Sequence, residues 1–547
     1  LSEEELLGAL EEAVDAELIV EVDEPGSYTF SHALIRETLY EELSTTRRMK
    51  LHRRVGQALE AIGAGDDAHV PELAHHFFLA AAPAAEHDKA VDYAVRAAHA
   101  AVERLAFEDA VSHLERALQV LEATEGGEGR RARILVSLGE AQRRAGDAAY
   151  RETLLEAGRL AGAAGDARLL AAAALANSRA VFSRTGQVDP ERVALLEAAV
   201  AAVETGDDSD DEIVARLLAS LGGELLFGGD RERRVKLSDR ALAIARRLGD
   251  VPTLAHVLTH RHDTIWHASS LAERLVLADE LAVLAEGLGD TRGRYNAALI
   301  GIGPALEAGD LALARGRVDL ARRAALELAE PVLRWFVAMP EAVLAMTTGD
   351  LDEGERLVEE AFEVGAGTGQ PDASLAFGAQ LFTLRLLQGR LAEVGDDLVD
   401  AVAGNDAGPV LEAGLAWLAC EVGQADASRE ILHRLAADGF GTVPADLSWL
   451  AAMVACAEVA ARLGDQAHAA ALVPLLEPYR DQFVTIAATV WWGSVAHYLG
   501  RLQTCLGRFY EAEADLAAAA DAYTRLGAEP WAARVRRDQQ TLADCRS

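Results

Sequence analysis

The amino-acid sequence predicts an all-α protein: a tetratricopeptide-like, right-handed α-solenoid that is preceded by the back half of a winged helix with a small β-hairpin. Three observations lead to this prediction. The apolar residues are mainly alanine and leucine, turns that contain glycine recur about every 40 residues, and a short alternating segment precedes them. Of the 547 residues, 50% are hydrophobic and 5% are aromatic, which suits closely packed helices better than strand-rich folds.

Residues 1–62 are predicted to form a partial winged-helix domain and a connecting basic helix. A helical pattern runs into a short apolar strand, Pro25 and Gly26 mark a turn, and the next four residues return as a second strand. A helix then starts at His32, and the basic helix after it ends at a glycine-rich break at residues 63–65. Helix, hairpin, helix is the order of elements in the back half of a winged helix-turn-helix.

Residues 63–547 are predicted to form a solenoid of about 10 to 11 helical hairpins. Glycine accepts the left-handed backbone that ends a helix, and a following Asp can cap the next helix through its carboxylate. Two such turns in each interval, with apolar residues at i, i+3, i+4 and i+7 between them, indicate a stack of paired helices. One series of turn glycines is Gly146, Gly186, Gly229, Gly309, Gly349, Gly389, Gly423, Gly464 and Gly507, and the other is Gly165, Gly206, Gly249 and Gly289. One turn, near Ser269, lacks its glycine.

The net charge and the spacing of the cysteines argue against several classes of protein. The formal net charge of −36 argues against direct binding of nucleic acid, whose phosphates need a basic surface, and against docking on anionic lipid. The four cysteines lie far apart without a Cys-x-x-Cys pair, so we expect a reducing, cytoplasmic location. The sequence contains no apolar run long enough for a membrane span and no signal peptide. It begins within a predicted helix, and we therefore expect a C-terminal part of a larger protein.

No catalytic pattern is recognisable in the sequence. The P-loop pattern is absent because none of the lysines, Lys50, Lys89 and Lys236, follows a glycine. The Ser-His-Asp, His-Glu-x-x-His and EF-hand patterns are also absent. We therefore expect that this chain is not an enzyme by itself, and we predict no catalytic residue, no metal ligand and no cofactor in it.

A histidine-rich segment supplies the first candidate ligand-groove residues. His256, His260, Asp263 and His267 are spaced at i, i+4, i+7 and i+11, which places them on one face of a continuous helix. Two histidines at i and i+4 with a carboxylate could bind a divalent cation. Two alternatives are a polar face that contacts a ligand, and side chains that form hydrogen bonds within the array while Trp266 packs nearby.

Aromatic residues supply the remaining ligand-groove candidates. Trp491, Trp492 and Tyr498 could present rings to a pocket, although aromatic residues at helical spacing more often belong to a core. The segment from His75 to Phe78 is predicted to pack between the winged helix and the first hairpin, with a metal site as the weaker alternative.

A basic helix supplies a candidate docking surface. Five positive charges fall within eight residues, at Arg47, Arg48, Lys50, Arg53 and Arg54. The simplest interpretation is a solvated helix face. The alternative is a surface that docks an acidic neighbouring domain or a bound nucleotide through complementary charge. Double-stranded DNA fits less well because only one short basic helix is available.

A family resemblance is carried by the segments FSHALIRETLYEELSTTRRMKLHRRVGQALE, ELAHHFFLA and AVDYAVRAAHAAVERLAFEDAVSHLERAL. They resemble the region after the nucleotide-binding domain in bacterial STAND-type signal-transduction ATPases, which include the large LuxR-type transcriptional regulators and cyclase- or kinase-linked relatives. Later segments, such as THRHDTIWHASSLAERLVLADELAVLAEGLGD and RLGAEPWAARVRRD, are similar to the same family in the same order. The resemblance covers essentially the whole chain.

The resemblance implies a regulatory sensor arm that binds an inducer or a protein partner on its concave face. The arm would control a nucleotide switch in an upstream ATPase domain of the same polypeptide, which would bind ATP or ADP and Mg²⁺. DNA would be bound only through a module that this sequence lacks. The resemblance also implies that His32, with Arg36 one turn later, contacts the β-phosphate of the nucleotide. Alternatively, these two residues join the wing to its helix by hydrogen bonds.

Two other functions fit the sequence. One is a tetratricopeptide scaffold for protein–protein interaction without a ligand switch, since repeat arrays of this kind present extended binding surfaces. The other is the sensor arm of a cyclase- or kinase-linked ATPase.

Overall fold

The computed structural model of the chain describes residues 2–22, 26–62, 69–81, 84–122, 127–178, 185–205, 210–393 and 408–546. These ranges contain 26 α-helices and two short antiparallel β-hairpins, so the predicted all-α solenoid is confirmed. The chain divides into two compact units, Leu1–Ile134 and Leu135–Ser547, which we call the N-terminal unit and the C-terminal unit. The predicted domain limits, 1–62 and 63–547, stay a prediction.

The N-terminal unit begins with a helix, a β-hairpin and further helices, in the order predicted. Its elements are α1 (Glu3–Asp15), β1 (Ile19–Glu21), β2 (Tyr28–Phe30), α2 (Ala33–Glu42), α3 (Thr45–Ile62), α4 (Val70–Ala80), α5 (Ala84–Glu103), α6 (Phe107–Glu122) and the start of α7 (Glu128–Ala145). A capping box between Ser2 and Glu5 starts α1. The turn residue Gly26 has a φ of +84°, whereas Pro25 and the predicted break at residues 63–65 lie outside the described residues.

Helix α3 packs closely on α4 because Gly56 has no side chain. A Cβ at Gly56 would lie 3.2 Å from the Phe77 ring. Phe77 is fully buried and stacks on Tyr93 of α5, with 5.3 Å between ring centroids. The adjacent His76 faces α3, where its Nδ1 lies 2.9 Å from Nδ1 of His52. The segment from His75 to Phe78 therefore joins α4 to α3 and α5.

The C-terminal unit contains the end of α7 and the remaining helices. They are α8 (Tyr150–Ala163), α9 (Ala167–Asn177), α10 (Pro190–Thr205), α11 (Asp211–Glu224), α12 (Arg231–Leu248), α13 (Val251–Thr264), α14 (Leu271–Leu288), α15 (Thr291–Glu307), α16 (Leu311–Leu328), α17 (Pro331–Thr348), α18 (Leu351–Gly367), α19 (Ala373–Gln388), α20 (Pro409–Glu421), α21 (Ala425–Leu435), α22 (Trp449–Leu463), α23 (Gln466–Leu476), α24 (Val495–Cys505), α25 (Phe509–Leu526) and α26 (Glu529–Arg546). A second hairpin, β3 (Phe483–Ile486) and β4 (Val490–Ser494), precedes α24.

The turns between these helices occur at the predicted glycines. Every glycine of the two predicted series has a positive φ except Gly206, which lies outside the described residues. At one of these turns Gly349 ends α17 with a φ of +97°, and Asp350 then caps α18 by accepting a hydrogen bond from the backbone N–H of Glu353. Where the glycine is missing, a short 3₁₀ helix over Ala268–Ser270 makes the turn.

Helices of the C-terminal unit pack as a stack of hairpins. Most of the described helices contact their neighbours in sequence, and α9, α11, α13, α15, α17 and α19 also contact one another in a continuous row. Because each hairpin buries its apolar face against the next, this arrangement is that of a helical-repeat solenoid. None of the helices in the described ranges is long and apolar enough to cross a membrane.

The second β-hairpin packs against the row of helices α15, α17 and α19. The indole N–H of Trp491 donates to the backbone carbonyl of Leu306 at 3.2 Å, and the indole N–H of Trp492 donates to Thr383 Oγ1 at 2.9 Å. This hairpin was not predicted, because a short apolar run such as VWWGS reads equally well as helix or strand. It places late residues of the chain against the middle of the array.

Candidate ligand-binding site

Two adjoining cavities lie between helices of the C-terminal unit. The larger one, the polar chamber, has a volume of about 1100 Å³ and is lined by arginine, acidic and histidine side chains. The smaller one, the aromatic chamber, has a volume of about 200 Å³ and is lined mainly by tryptophan, phenylalanine and aliphatic side chains. Both chambers share the residues Leu299, Ile300, Phe336, Gln370 and Pro371.

Helix α15 runs along both chambers. Its residues Arg292 and Tyr295 line the polar chamber, Leu299 and Ile300 line both, and Gly303 lines the aromatic chamber. Because an α-helix rises 1.5 Å per residue, the path from Arg292 to Gly303 is about 16 Å long. The polarity of the lining therefore changes from charged to apolar along this one helix.

Helices α13 and α17 show the same change of polarity. On α13, His256 and His260 line the polar chamber, whereas Asp263 lines the aromatic one. On α17, Leu333 faces the polar chamber and Met339 the aromatic one. Three helices of different hairpins thus run side by side from one chamber to the other.

Hydrogen bonds between distant parts of the chain hold together the walls of the chambers. Thr185 donates to Asp372 Oδ2 from its backbone N–H at 2.9 Å and from its hydroxyl at 2.8 Å. The buried carboxylate of Glu330 accepts hydrogen bonds from Arg144 of α7 and Arg292 of α15. Thr185 and Asp372 are 187 residues apart in the sequence. Arg144 and Glu330 are 186 residues apart.

Two tryptophans of the aromatic chamber have their indole N–H groups bonded within the protein. Trp266 donates its indole N–H to Glu307 Oε1 at 3.2 Å, as Trp492 does to Thr383. The ring faces therefore remain available for apolar contact. The other large aromatic side chains of this lining are Trp335, Phe336 and Phe382.

Gly414 leaves free space in the wall of the aromatic chamber. It lies on α20 and lines this chamber, and a Cβ built there would have no heavy atom within 4 Å. A larger side chain at this position can therefore enter the chamber without a clash at its first atom.

A buried His–Asp pair forms the polar part of the aromatic chamber. His262 Nδ1 lies 3.0 Å from Asp263 Oδ1, and both side chains are buried. Burial lowers the pKa of His262 and raises the pKa of Asp263. If Nδ1 donates to the carboxylate, Nε2 of the neutral ring is an acceptor, and Nε2 is buried without a hydrogen-bond partner. The pair thus offers one acceptor in an otherwise apolar surrounding.

Six arginines and five acidic residues line the polar chamber. Five of the arginines form ion pairs with lining carboxylates, and these pairs are Arg151 with Asp189, Arg168 with Asp210, Arg192 with Asp189, Arg216 with Glu212 and Arg292 with Glu330. Arg192 is held by Asn177 and Tyr150.

The sixth arginine, Arg143, has neither an ion pair nor a hydrogen bond from its guanidinium group. It is half-buried, and its Nε is buried without a partner. Burial lowers its pKa, while Glu330 acts in the opposite direction. Since a guanidinium in a protein keeps its proton, Arg143 brings to the polar chamber a positive charge that has no direct ion-pair partner.

The two histidines of the polar chamber are neutral at pH 7. His256 Nε2 lies 3.2 Å from the backbone carbonyl of Arg216 and 3.1 Å from Ser220 Oγ, and His260 Nε2 lies 3.4 Å from the same hydroxyl. Burial lowers the pKa of His260 to about 4 and, together with the neighbouring His260, lowers the pKa of His256 well below its usual value. Their role is therefore that of hydrogen-bonding groups and not of cations.

The chambers include five of the eight predicted ligand-groove residues. His256 and His260 line the polar chamber, and Asp263, Trp266 and Trp492 line the aromatic chamber. Whether these residues bind a ligand stays a prediction.

The other three predicted residues line neither chamber. His267 caps the 3₁₀ turn by accepting from the backbone N–H of Ser269 at 3.1 Å. Trp491 stacks on Phe483, and Tyr498 is buried and donates to the carbonyl of Trp492.

The expectation that His256, His260, Asp263 and His267 share one face of a continuous helix was wrong for His267. Helix α13 ends at Thr264, so His267 lies beyond it and is not on the face that carries His256 and His260. In the described part of the chain, the group of His, Cys, Asp and Glu side chains close enough to share a cation is elsewhere, at His433, Asp465 and His468.

The residues that sequence reasoning missed are those whose role depends on distant contacts. Arg143, His262 and Phe382 line the chambers but were not candidates. The segment LRWFVAMP on α17, which contains Trp335 and Phe336, was one available signal, since aromatic residues are rare in this sequence.

The predicted nucleotide-sensing and docking residues lie in the N-terminal unit. His32 caps α2, since its Nδ1 accepts from the backbone N–H of Leu34 at 3.4 Å, and both His32 and Arg36 are exposed. For His32, this cap is in keeping with the alternative in which His32 and Arg36 join the wing to its helix by hydrogen bonds. A contact with a nucleotide phosphate stays a prediction.

The predicted docking residues lie on α3. Arg47, Lys50 and Arg54 are exposed, and Arg53 is half-buried. Arg48 lies over the ring of Tyr40 at 5.2 Å from its centroid. The basic side chains thus remain largely accessible on this helix, but docking itself stays a prediction.

Comparison with known proteins gave similarity to solved structures alone. No family model and no curated protein matches the chain. A signal-transduction ATPase with numerous domains (STAND) that has a tetratricopeptide repeat sensor, from Pyrococcus horikoshii, is 15% identical over 64% of this chain, with a TM-score of 0.33. The match spans 57% of that protein's chain.

Two further structures are similar over most of the chain. Yeast Tom70 is 13% identical over 91% of this chain and 97% of its own, with a TM-score of 0.27. The Naa15/Naa10 complex bound to HypK-THB contains a chain that is 13% identical over 88% of this chain and 82% of its own, with a TM-score of 0.23. At scores this low, we base no argument about function on these likenesses.

Proposed function

We propose that the C-terminal unit binds a small ligand in its joined chambers, and that the chain is the ligand-sensing, regulatory arm of a larger signal-transducing ATPase. The observation that carries this proposal is the pair of adjoining chambers enclosed by α13, α15 and α17, which belong to different hairpins. A ligand that touches several hairpins at once favours one packing of the array over others, and so shifts its conformational population.

The sequence resemblance supports the regulatory part of the proposal. In this proposal an upstream P-loop domain binds ATP or ADP with Mg²⁺, and ligand binding in the arm changes the nucleotide switch of that domain. The parent protein is a bacterial, cytoplasmic transcriptional regulator of the LuxR-type group, and any DNA-binding module lies outside this sequence. His32 and Arg36 face the nucleotide, and the basic side chains of α3 dock on the ATPase domain.

A non-switching protein–protein scaffold is the second candidate. Exposed apolar side chains in the N-terminal segment favour it, since contiguous exposed apolar surface is typical of interaction sites. A scaffold needs no enclosed ligand, so ligand binding in the chambers discriminates between the two candidates. A sensor arm linked to a cyclase or kinase differs only in the output of the parent protein.

The test is ligand-induced thermal stabilisation of the protein and of a variant with a filled chamber. We expect that a screen of small metabolites finds compounds that raise the melting temperature of the wild-type chain, and that Gly414→Leu abolishes this effect. Gly316→Leu is the matched control, because Gly316 is an exposed helix residue with no heavy atom near its Cβ position. Both substitutions replace a helical glycine by leucine and therefore raise helix propensity by the same amount. Equal stabilisation of wild type and Gly414→Leu by the ligands would exclude the aromatic chamber as their site.

A further inference from the structure

We propose that the ligand is an elongated anionic amphiphile, with its carboxylate or phosphate beside Arg143 in the polar chamber and its apolar body in the aromatic chamber. This inference rests on the proposed function, because it names the chemistry of the ligand that those chambers bind. Three properties of the lining support an anionic amphiphile: the charge of Arg143, the apolar surface of the aromatic chamber and the distance between the two.

The charge of the polar chamber favours an anion. Arg143 has no ion pair or hydrogen bond from its guanidinium group, and it lies near Glu330, which Arg144 and Arg292 already contact. Two guanidinium groups are therefore bonded to one buried carboxylate, and a third, that of Arg143, lies close enough to interact with it electrostatically. Glu140 also lines the chamber, but it is exposed. A ligand carboxylate or phosphate can form the charge-assisted hydrogen bonds that Arg143 lacks.

The aromatic chamber favours an apolar group over a cation. Aromatic rings with nearby carboxylates can bind cationic groups, but both carboxylates in this lining have partners. Asp263 is bonded to His262, and Asp372 accepts two hydrogen bonds from Thr185. With the indole N–H groups of Trp266 and Trp492 also bonded, the remaining surface is largely ring faces and aliphatic carbon.

The distance between the chambers requires an elongated ligand. The lining of α15 changes from Arg292 at one end to Gly303 at the other, a path of about 16 Å. Between them the residues Leu299, Ile300 and Phe336 line both chambers, so the boundary between the chambers is apolar. A compact anion would occupy only the polar chamber and would leave the aromatic chamber empty.

The test compares four probes that share one alkyl chain and differ in their head group. Dodecanoate, dodecyl phosphate, dodecanol and dodecyltrimethylammonium are titrated below their micelle concentrations, with isothermal calorimetry and tryptophan fluorescence as readouts. We expect both anions to bind, and dodecanol to bind about tenfold or more weakly, because a hydrogen bond to a charged group is worth about 1.5–3 kcal/mol. The cation should bind no better than dodecanol.

Two variants locate the ends of the ligand. Arg143→Gln should weaken dodecanoate about tenfold or more and leave dodecanol unchanged, whereas the exposed Arg315→Gln should alter neither. Gly414→Leu should abolish binding of both probes, and Gly316→Leu should not. Circular dichroism and melting temperature of each variant confirm that the fold is retained.

The results of these experiments distinguish a failure of the anionic amphiphile from a failure of the proposed ligand-binding function. If dodecanol binds as tightly as dodecanoate, or if Arg143→Gln has no effect, the anionic class is wrong while Gly414-dependent binding still supports a ligand chamber. If none of the four probes binds, the amphiphile is excluded, and the metabolite screen with Gly414→Leu decides the proposed function. If the probes bind and Gly414→Leu does not weaken them, both proposals are wrong about the site.

Discussion

The N-terminal segment 2–62 and the C-terminal unit use their apolar side chains in opposite ways. Among the described residues, 13 of the 22 exposed large hydrophobic side chains belong to this short segment. They are Leu6, Leu7, Val14, Leu18, Val20, Val22, Phe30, Leu34, Leu39, Tyr40, Leu51, Val55 and Ile62. Only Ile19 and Gly56 of the described residues in 2–62 are buried.

The C-terminal unit buries not only its apolar side chains but also several charges. Trp417, Trp491 and Trp531 are fully buried, and so is the guanidinium of Arg274. Helical periodicity alone therefore does not decide whether an apolar side chain is buried. A segment with an amphipathic pattern becomes a core only where another element of the chain covers its apolar face, and in 2–62 most of that face is uncovered.

The first prediction concerns the buried ion pair between Arg274 and Glu307. Glu307 accepts hydrogen bonds from both Arg274 and Trp266, and its side chain is 5% exposed. Glu307→Ala leaves the Arg274 charge buried without a partner, and we expect a loss of about 3–5 kcal/mol in the free energy of unfolding. Urea denaturation followed by circular dichroism measures it.

The matched control is an ion pair on the surface of the same unit. Lys236 and Glu232 are paired at 2.5 Å, but their side chains are 72% and 79% exposed. We expect Glu232→Ala to leave the urea midpoint unchanged, because exposed pairs contribute little. Similar losses for the two variants would show that the Arg274 site is open to water, against the burial described above.

The second prediction is a pH dependence that arises from His260. Burial lowers its pKa from 6.5 to about 4. Since the unfolded chain then binds more protons than the folded one between these values, stability is complete above pH 6.5 and falls as the pH is lowered toward 4. At about 1.4 kcal/mol per pKa unit, His260 accounts for a loss of about 3 kcal/mol at pH 4.

The measurement is urea denaturation at a series of pH values for wild type and His260→Gln. We expect the variant to lose less stability between pH 6.5 and 4, and to follow the wild type between pH 7 and 9. An identical acid dependence in both proteins would mean that His260 is accessible to protons in the folded state.

Most of the repeat architecture was predictable because it depends on interactions between residues that are close in the sequence. Gly349 ends one helix and Asp350 caps the next, and both effects act within a few residues. The β3–β4 hairpin was not predictable for the opposite reason. Its strands are stabilised by contacts such as that of Trp491 with Leu306, which lies 185 residues earlier in the chain.

The candidate site was predictable only where residue type alone was informative. His256, His260 and Trp266 stood out because histidine and tryptophan are rare in this sequence. Arg143 did not, because it is one of many arginines, and its lack of a partner results from the packing of α7 near Glu330. Such an effect depends on three-dimensional contacts that spacing does not encode.

The third and smallest effect is predicted for the uncovered face of the N-terminal segment. Leu34 on α2 is 67% exposed, so Leu34→Gln should change the free energy of unfolding of this chain by less than about 0.5 kcal/mol. Leu326→Gln is the matched control in the C-terminal unit, at 65% exposed. Both variants should have the melting temperature of the wild type.

The two variants should differ only when the parent protein is assayed. If the exposed apolar face of 2–62 also docks on the upstream ATPase domain, beside the basic side chains of α3, Leu34→Gln should raise basal activity or change nucleotide affinity. The reason is that the substitution removes an apolar contact from the resting state. Leu326→Gln should change neither property. Equal behaviour of both variants in the parent protein would contradict docking through this face. The apolar side chains of 2–62 would then be exposed to solvent without forming an interface.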